Sequence, residues 1–116
     1  MSASVGILAM GSAVPDQQIT NDELATRIDT SDEWIQSRTG IKTRHVVNAT
    51  QSCSDLAAQA AQAALDKAGL SAEDLDLIIV ATATADYDGF PSVAAKVQDL
   101  ISAPHIPAFD LSAACT

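Results

Sequence analysis

Apolar positions along the chain fall into short runs and helix-period stripes, set apart by Gly, Pro and capping residues. Val5 to Met10 is a short apolar run closed by Gly11 and Pro15, which predicts a strand and then a turn. Thr20-Asn21-Asp22-Glu23 has the form of a capping box, with Thr20 as N-cap, and opens a short helix through Leu24 and Ile28. Thr30-Ser31-Asp32-Glu33 repeats that form and opens a helix bearing Trp34, Ile35 and Arg38, which Gly40 ends. Lys42 to Val47 reads as a half-exposed strand of mixed polarity.

The strongest helical pattern runs from Ser52 to Ala68. Asp55, Gln59, Gln62 and Asp66 form one thin polar stripe, and nearly all the rest is Ala or Leu, so most of the circumference is expected to be packed. Gly69 ends this helix. Leu77-Ile78-Ile79-Val80, continued to Thr84, is an unbroken apolar run and predicts a parallel strand covered on both faces. Pro91 stands where a first helical residue belongs, and Val93, Val97, Leu100 and Ile101 share a face after it. Pro104 and Pro107 bracket a turn before a last strand, Ala108 to Leu111. Strands alternating with helices predict an α/β layered domain.

Composition narrows the options. The 116 residues are 47% hydrophobic and 18% charged, which suits one core and argues against disorder. A net charge of −9 argues against nucleic acid as a partner. No apolar run reaches the ~20 residues of a membrane-spanning helix, and the N-terminus lacks the basic lead of a signal peptide. Cys53 and Cys115 form no disulfide framework, so a reducing, cytoplasmic location is expected.

Three groups of residues bear on chemistry. Cys115 follows a predicted strand in a run of small residues, where α/β folds collect reacting groups; on spacing alone it is equally a nucleophile or an inert buried thiol. His45, His105 and the two cysteines lack metal-ligand spacing, so no metal site is expected. Trp34 and Arg38 are four apart on one helical face, with Lys42 and Arg44 close behind. They could serve a nucleotide by stacking and phosphate pairing, although pattern alone favours Trp34 as a core residue with Arg38 at a wet edge.

Asp29-Thr30-Ser31-Asp32-Glu33-Trp34-Ile35, with Arg38-Thr39-Gly40-Ile41, closely resembles the hallmark segment of bacterial β-ketoacyl-acyl-carrier-protein synthase III. The likeness extends through Ile78 to Thr82 and Phe90-Pro91-Ser92. It ends in Phe109-Asp110-Leu111-Ser112-Ala113-Ala114-Cys115, which is similar to that family's nucleophile segment. The resemblance implies a thiolase-like layered α/β fold and a homodimer. It implies that Cys115 takes an acyl group from acyl-CoA, with no permanently bound cofactor. Trp34 and Thr30 are implied to contact the adenine of CoA, Arg38 to lie near its phosphates, and Phe90 to reach the partner subunit's acyl pocket.

The reaction so implied is condensation of the acyl group with malonyl-acyl-carrier protein, assisted by a His and an Asn from a second α/β half. The chain corresponds to roughly a third of a typical member. Residues 1–116 are therefore expected to form an incomplete N-terminal half that stops just after the nucleophile, lacking the C-terminal part of the enzyme and inactive alone. Alternatives are a related starter-unit condensing enzyme of polyketide or quinolone metabolism, and an inactive structural fragment. The loop Ala85 to Gly89 is slightly longer than is usual, which leaves the primer's length open.

Overall fold

A computed structural model describes residues 4–114, which divide into two compact units. The smaller unit is Val14–Gln51. It holds strand β1 (Gln18–Thr20), helix α1 (Asn21–Ala25), helix α2 (Asp32–Thr39) and strand β2 (Thr43–His45). β1 pairs antiparallel with β2, Ile19 opposite Arg44, and His45 Nδ1 donates to the Pro15 carbonyl at 2.6 Å.

Thr20 caps α1 as its sequence predicts, accepting from the Glu23 amide at 3.1 Å. The Glu23 carboxylate bonds Arg27 instead of closing the box, and the helix stops at Ala25, short of Ile28. In α2 the cap is Ser31, one residue past the expected Thr30; its Oγ accepts from the Trp34 amide at 3.1 Å. Gly40 ends α2 with φ 71°, a left-handed conformation that suits glycine.

The larger unit comprises residues 4–13 and 52–114 among those described. It contains helix α3 (Cys53–Ala68), strand β3 (Ile78–Ala81), helix α4 (Val93–Leu100) and strand β4 (Ala108–Leu111). β3 and β4 run parallel, with Ile78 opposite Ala108 and Ala81 opposite Leu111. Ala58 and Leu65 of α3 meet Val93, Ala94, Val97 and Ile101 of the α4 segment and Ile78 of β3 in one apolar core. The polar stripe of α3 falls where predicted, with Gln59, Gln62 and Asp66 exposed.

Four expectations fail in this unit, each for a visible reason. Val5 to Met10 is not a strand: no described strand pairs with it, and Val5, Ile7 and Leu8 are exposed. β3 is covered on one face only: Ile78 is buried against α3 and α4, while Ile79, on the opposite face, is 51% exposed because no described element packs there. Pro91 precedes α4 instead of opening it, since Ser92 supplies the cap, accepting from the Ala95 amide at 3.1 Å. Leu100 is exposed, and Ala94 takes its place on the buried face.

Gly11 is fixed by contact rather than by φ: a Cβ there would lie 2.1 Å from the Ala60 carbonyl oxygen and 2.6 Å from the Ala64 amide nitrogen. The alanines of α3 are what allow that approach. Leu65→Ala should destabilise the protein by about 2–5 kcal/mol through cavity formation. Leu100→Ala should change stability by less than about 1 kcal/mol. Denaturant unfolding of both variants checks the assignment, and comparable losses would place Leu100 in the core.

Candidate functional site

The small unit presents the Trp34 segment. Ser31 starts α2 and Gly40 stops it, which puts Trp34 and Arg38 one turn apart with the Arg38 guanidinium carbon 5.6 Å from the indole centroid. Trp34 is 56% exposed, so the core-residue reading favoured by pattern does not hold. Thr30, half-buried, lines an open concavity of ≈ 410 Å³ with Asp29, Ser31 and Trp34. An exposed indole, a paired guanidinium and threonine and serine hydroxyls can together take a flat heterocycle bearing anionic groups.

Asp32 supports this segment from below. Hydrogen bonds from Asn21 and then Gln36, with a smaller contribution from Lys42, hold its carboxyl below the ordinary 3.8. Those bonds are 2.8 Å from Asn21 Nδ2 and 2.6 Å from Gln36 Nε2. Asp32 is therefore an anion committed to the scaffold rather than to a ligand.

The large unit presents the carboxyl ends of β3 and β4, the position where α/β sheets place reacting groups. Thr82, Tyr87, Pro91, Asp110 and Ser112 line a concavity of ≈ 170 Å³ there. Ala81, Ala83, Leu111 and Ala114 border a second, of ≈ 110 Å³. Ala114 has φ 49°, an uncommon setting for a residue with a Cβ. Cys115, the expected nucleophile, lies outside the described residues. Phe90 is 87% exposed.

Two carboxylates frame this edge, and motif reading missed the work of both. Asp110 Oδ2 and Oδ1 accept from the Val93 and Ala94 amides at 2.8 and 2.7 Å, so the last strand is bonded to the start of α4. Asp86, in the loop after β3, accepts from the Ser54 amide at 3.2 Å and from Lys96 Nζ at 3.1 Å. Lys96 Nζ also lies 5.1 Å from the Tyr87 ring centroid. Burial works against ionising Asp86, but the bonds from Ser54 and Lys96 outweigh it and keep its pKa below 3.8. The only sequence signal for these roles was an acidic residue within or shortly after each apolar strand.

No family model matches the chain. Individual relatives do. The β-ketoacyl-[acyl-carrier-protein] synthase III 1 of Bacillus anthracis is 50% identical over 112 residues, 97% of this chain and 36% of the relative. The chain belongs to the β-ketoacyl-[acyl-carrier-protein] synthase III family. It spans about a third of the length of the curated relatives it matches. The solved 3-oxoacyl-[acyl-carrier-protein] synthase III of Aquifex aeolicus superposes with a TM-score of 0.88 at 47% identity, covering 94% of this chain and 35% of that one. The priming β-ketosynthase of the R1128 polyketide pathway gives 0.87 at 32% identity, over 94% and 32%.

These neighbours bear out the expected α/β fold of thiolase-like synthase III enzymes. Among the described residues no group of three or more His, Cys, Asp or Glu could hold a metal ion, and no helix is long and apolar enough to cross a membrane.

The Asp86 geometry fixes a pH dependence. A carboxyl with a depressed folded pKa contributes stability above its unfolded value, and that contribution fades as pH falls through the folded value. Asp86→Asn should destabilise the protein by roughly 1–3 kcal/mol at neutral pH. Its difference from the parent should shrink below the ordinary carboxyl value of 3.8. Thermal unfolding across that range checks this, and a difference independent of pH would remove the carboxylate from the account.

Proposed function

We propose that the complete protein is the initiating condensing enzyme of type II fatty-acid synthesis, a cytoplasmic homodimer of which this chain is the N-terminal part. The single observation that carries the reading is the near-full-length match, 50% identical over 97% of the chain, to a β-ketoacyl-[acyl-carrier-protein] synthase III. The exposed Trp34 and Arg38 pair agrees with it.

In this reading the Cys115 thiolate attacks the carbonyl carbon of an acyl-CoA thioester. The tetrahedral adduct collapses, the C–S bond to CoA breaks, and CoA leaves as its thiol after taking a proton. Malonyl-acyl-carrier protein then loses CO₂, and the electron pair of the broken C–C bond forms a carbon–carbon bond to the acyl carbonyl. Cys115 departs as thiolate, and β-ketoacyl-acyl-carrier protein is the product. Trp34 and Thr30 hold the adenine, Arg38 the phosphates, and Phe90 contributes to the partner subunit's acyl pocket. Acyl-CoA is a substrate, and the chemistry needs no resident cofactor.

A second reading, priming of polyketide synthesis, is favoured by the 32% identical priming β-ketosynthase. The higher identity to the fatty-acid enzymes places it second. Turnover of acetyl-CoA against longer and branched acyl-CoA in the complete protein separates the two.

Cys115→Ala should abolish acyl-enzyme formation, read as the missing mass increment after incubation with acyl-CoA; an increment that persists elsewhere would unseat Cys115. Trp34→Ala should raise the KM for acyl-CoA about tenfold while lowering kcat much less, because stacking on adenine is remote from the bond being broken. An unchanged KM would free Trp34 of that role.

A further inference from the structure

Asn21 is 1% exposed and its side-chain amide is fully engaged. Its Nδ2 donates to Asp32 Oδ1 at 2.8 Å and to the Ile41 carbonyl at 2.7 Å. Its Oδ1 accepts from Arg44 Nη2. Asp32 is the first residue of α2, and Ile41 follows the Gly40 that ends it. One buried amide is thus bonded to both ends of an eight-residue helix. Arg44 Nη1 extends the bridge to the Ile19 and Thr20 carbonyls, both at 3.3 Å, and so to the β1–β2 ladder.

Apolar burial cannot set this helix alone. Ile35 is the only residue of α2 that is buried, and a single anchor leaves rotation about the helix axis weakly determined. The polar bridge supplies the missing constraint at each end. Thr39 adds to it at the C-terminal end, where its hydroxyl donates to the Ile35 carbonyl at 2.8 Å and accepts from the Ile41 amide at 3.1 Å.

We propose that Asn21, clamped by Arg44, is a positioning residue that sets the rotation of α2 and so aims Trp34 and Arg38 at the nucleotide portion of an acyl-CoA substrate. The inference rests on the Trp34 and Arg38 roles stated under the proposed function. It assigns to a residue outside the motif the task of making that motif usable. A buried amide with partners at both its nitrogen and its oxygen is costly to disturb, because removing it takes one bond each from the Asp32 carboxylate, the Ile41 carbonyl and the Arg44 guanidinium.

The test compares two substrates in the complete enzyme: an acyl-CoA and the matching acyl-pantetheine, which keeps the thioester and lacks the nucleotide. Asn21→Ala should raise KM for acyl-CoA about tenfold and leave KM for acyl-pantetheine within about twofold, with kcat nearly unchanged for both. Arg44→Lys keeps the charge but not the guanidinium fork, and should shift the acyl-CoA KM in the same direction by less. Adding Trp34→Ala to Asn21→Ala should raise KM little further, since both act on one contact.

Equal losses on the two substrates would overturn the positioning role and leave Asn21 a packing residue. A parent enzyme that itself fails to distinguish the two substrates would overturn the nucleotide reading of Trp34 and Arg38 first, and this inference with it. If Asn21→Ala does not fold, Asn21→Ser and Arg44→Lys carry the same comparison: a KM rise confined to acyl-CoA supports the positioning role, and an equal rise on acyl-pantetheine overturns it.

Discussion

Every helix in this protein must find oxygen for the amides of its first turn, and the answer to that demand organises the larger unit. The leading amides of a helix have no partner within it and, once buried, are expensive to leave bare. Ser52 and Ser92 supply the local caps of α3 and α4. Other leading amides are met from a distance, Ser54 by Asp86 and Val93 and Ala94 by Asp110. Both carboxylates come from the carboxyl-terminal side of the parallel strands. The helix starts and the strand ends are thereby held in register by charge-assisted bonds rather than by packing alone.

This arrangement explains why the ends of β3 and β4 make a shaped edge from small side chains. Alanine and serine there leave room but cannot hold a backbone in place by packing. Asp110 does so for β4, and Asp86 with Lys96 does so for the loop after β3. Concavities of ≈ 170 and ≈ 110 Å³ persist between these segments, next in sequence to Cys115. The smaller unit follows the same logic with a neutral group: Asn21 holds α2 where only Ile35 offers apolar burial.

Much of this was legible in the order of residues. The extent of α3, its wet stripe, the left-handed glycines at 40 and 69 and the last strand follow from periodicity and capping rules. The segment from Asp29 to Ile41 pointed to the family because its residues are diagnostic as a set. What failed shares one cause, namely that local pattern does not know its neighbours. Val5 to Met10 has the composition of a strand but no described ladder partner, and Ile79 has the composition of a covered strand but one bare face. Trp34 reads as core from pattern yet is exposed, because exposure of an indole depends on what packs over it. Asp86, Asp110 and Asn21 were invisible because each acts across 10 to 32 residues of sequence, where no spacing rule reaches.

The double duty of Asp86 has a consequence for motion. Its carboxylate joins the loop after β3 to the first turn of α3 and to Lys96 on α4. Lifting the loop strips the Ser54 amide, so fraying of α3 and opening of the loop form one cooperative fluctuation rather than two independent ones. Anything that quiets the loop from the Tyr87 side would quiet the leading turn of a sixteen-residue helix as well. The rigidity of that loop is therefore a shared quantity, spread over three elements and joined through the Asp86 carboxylate.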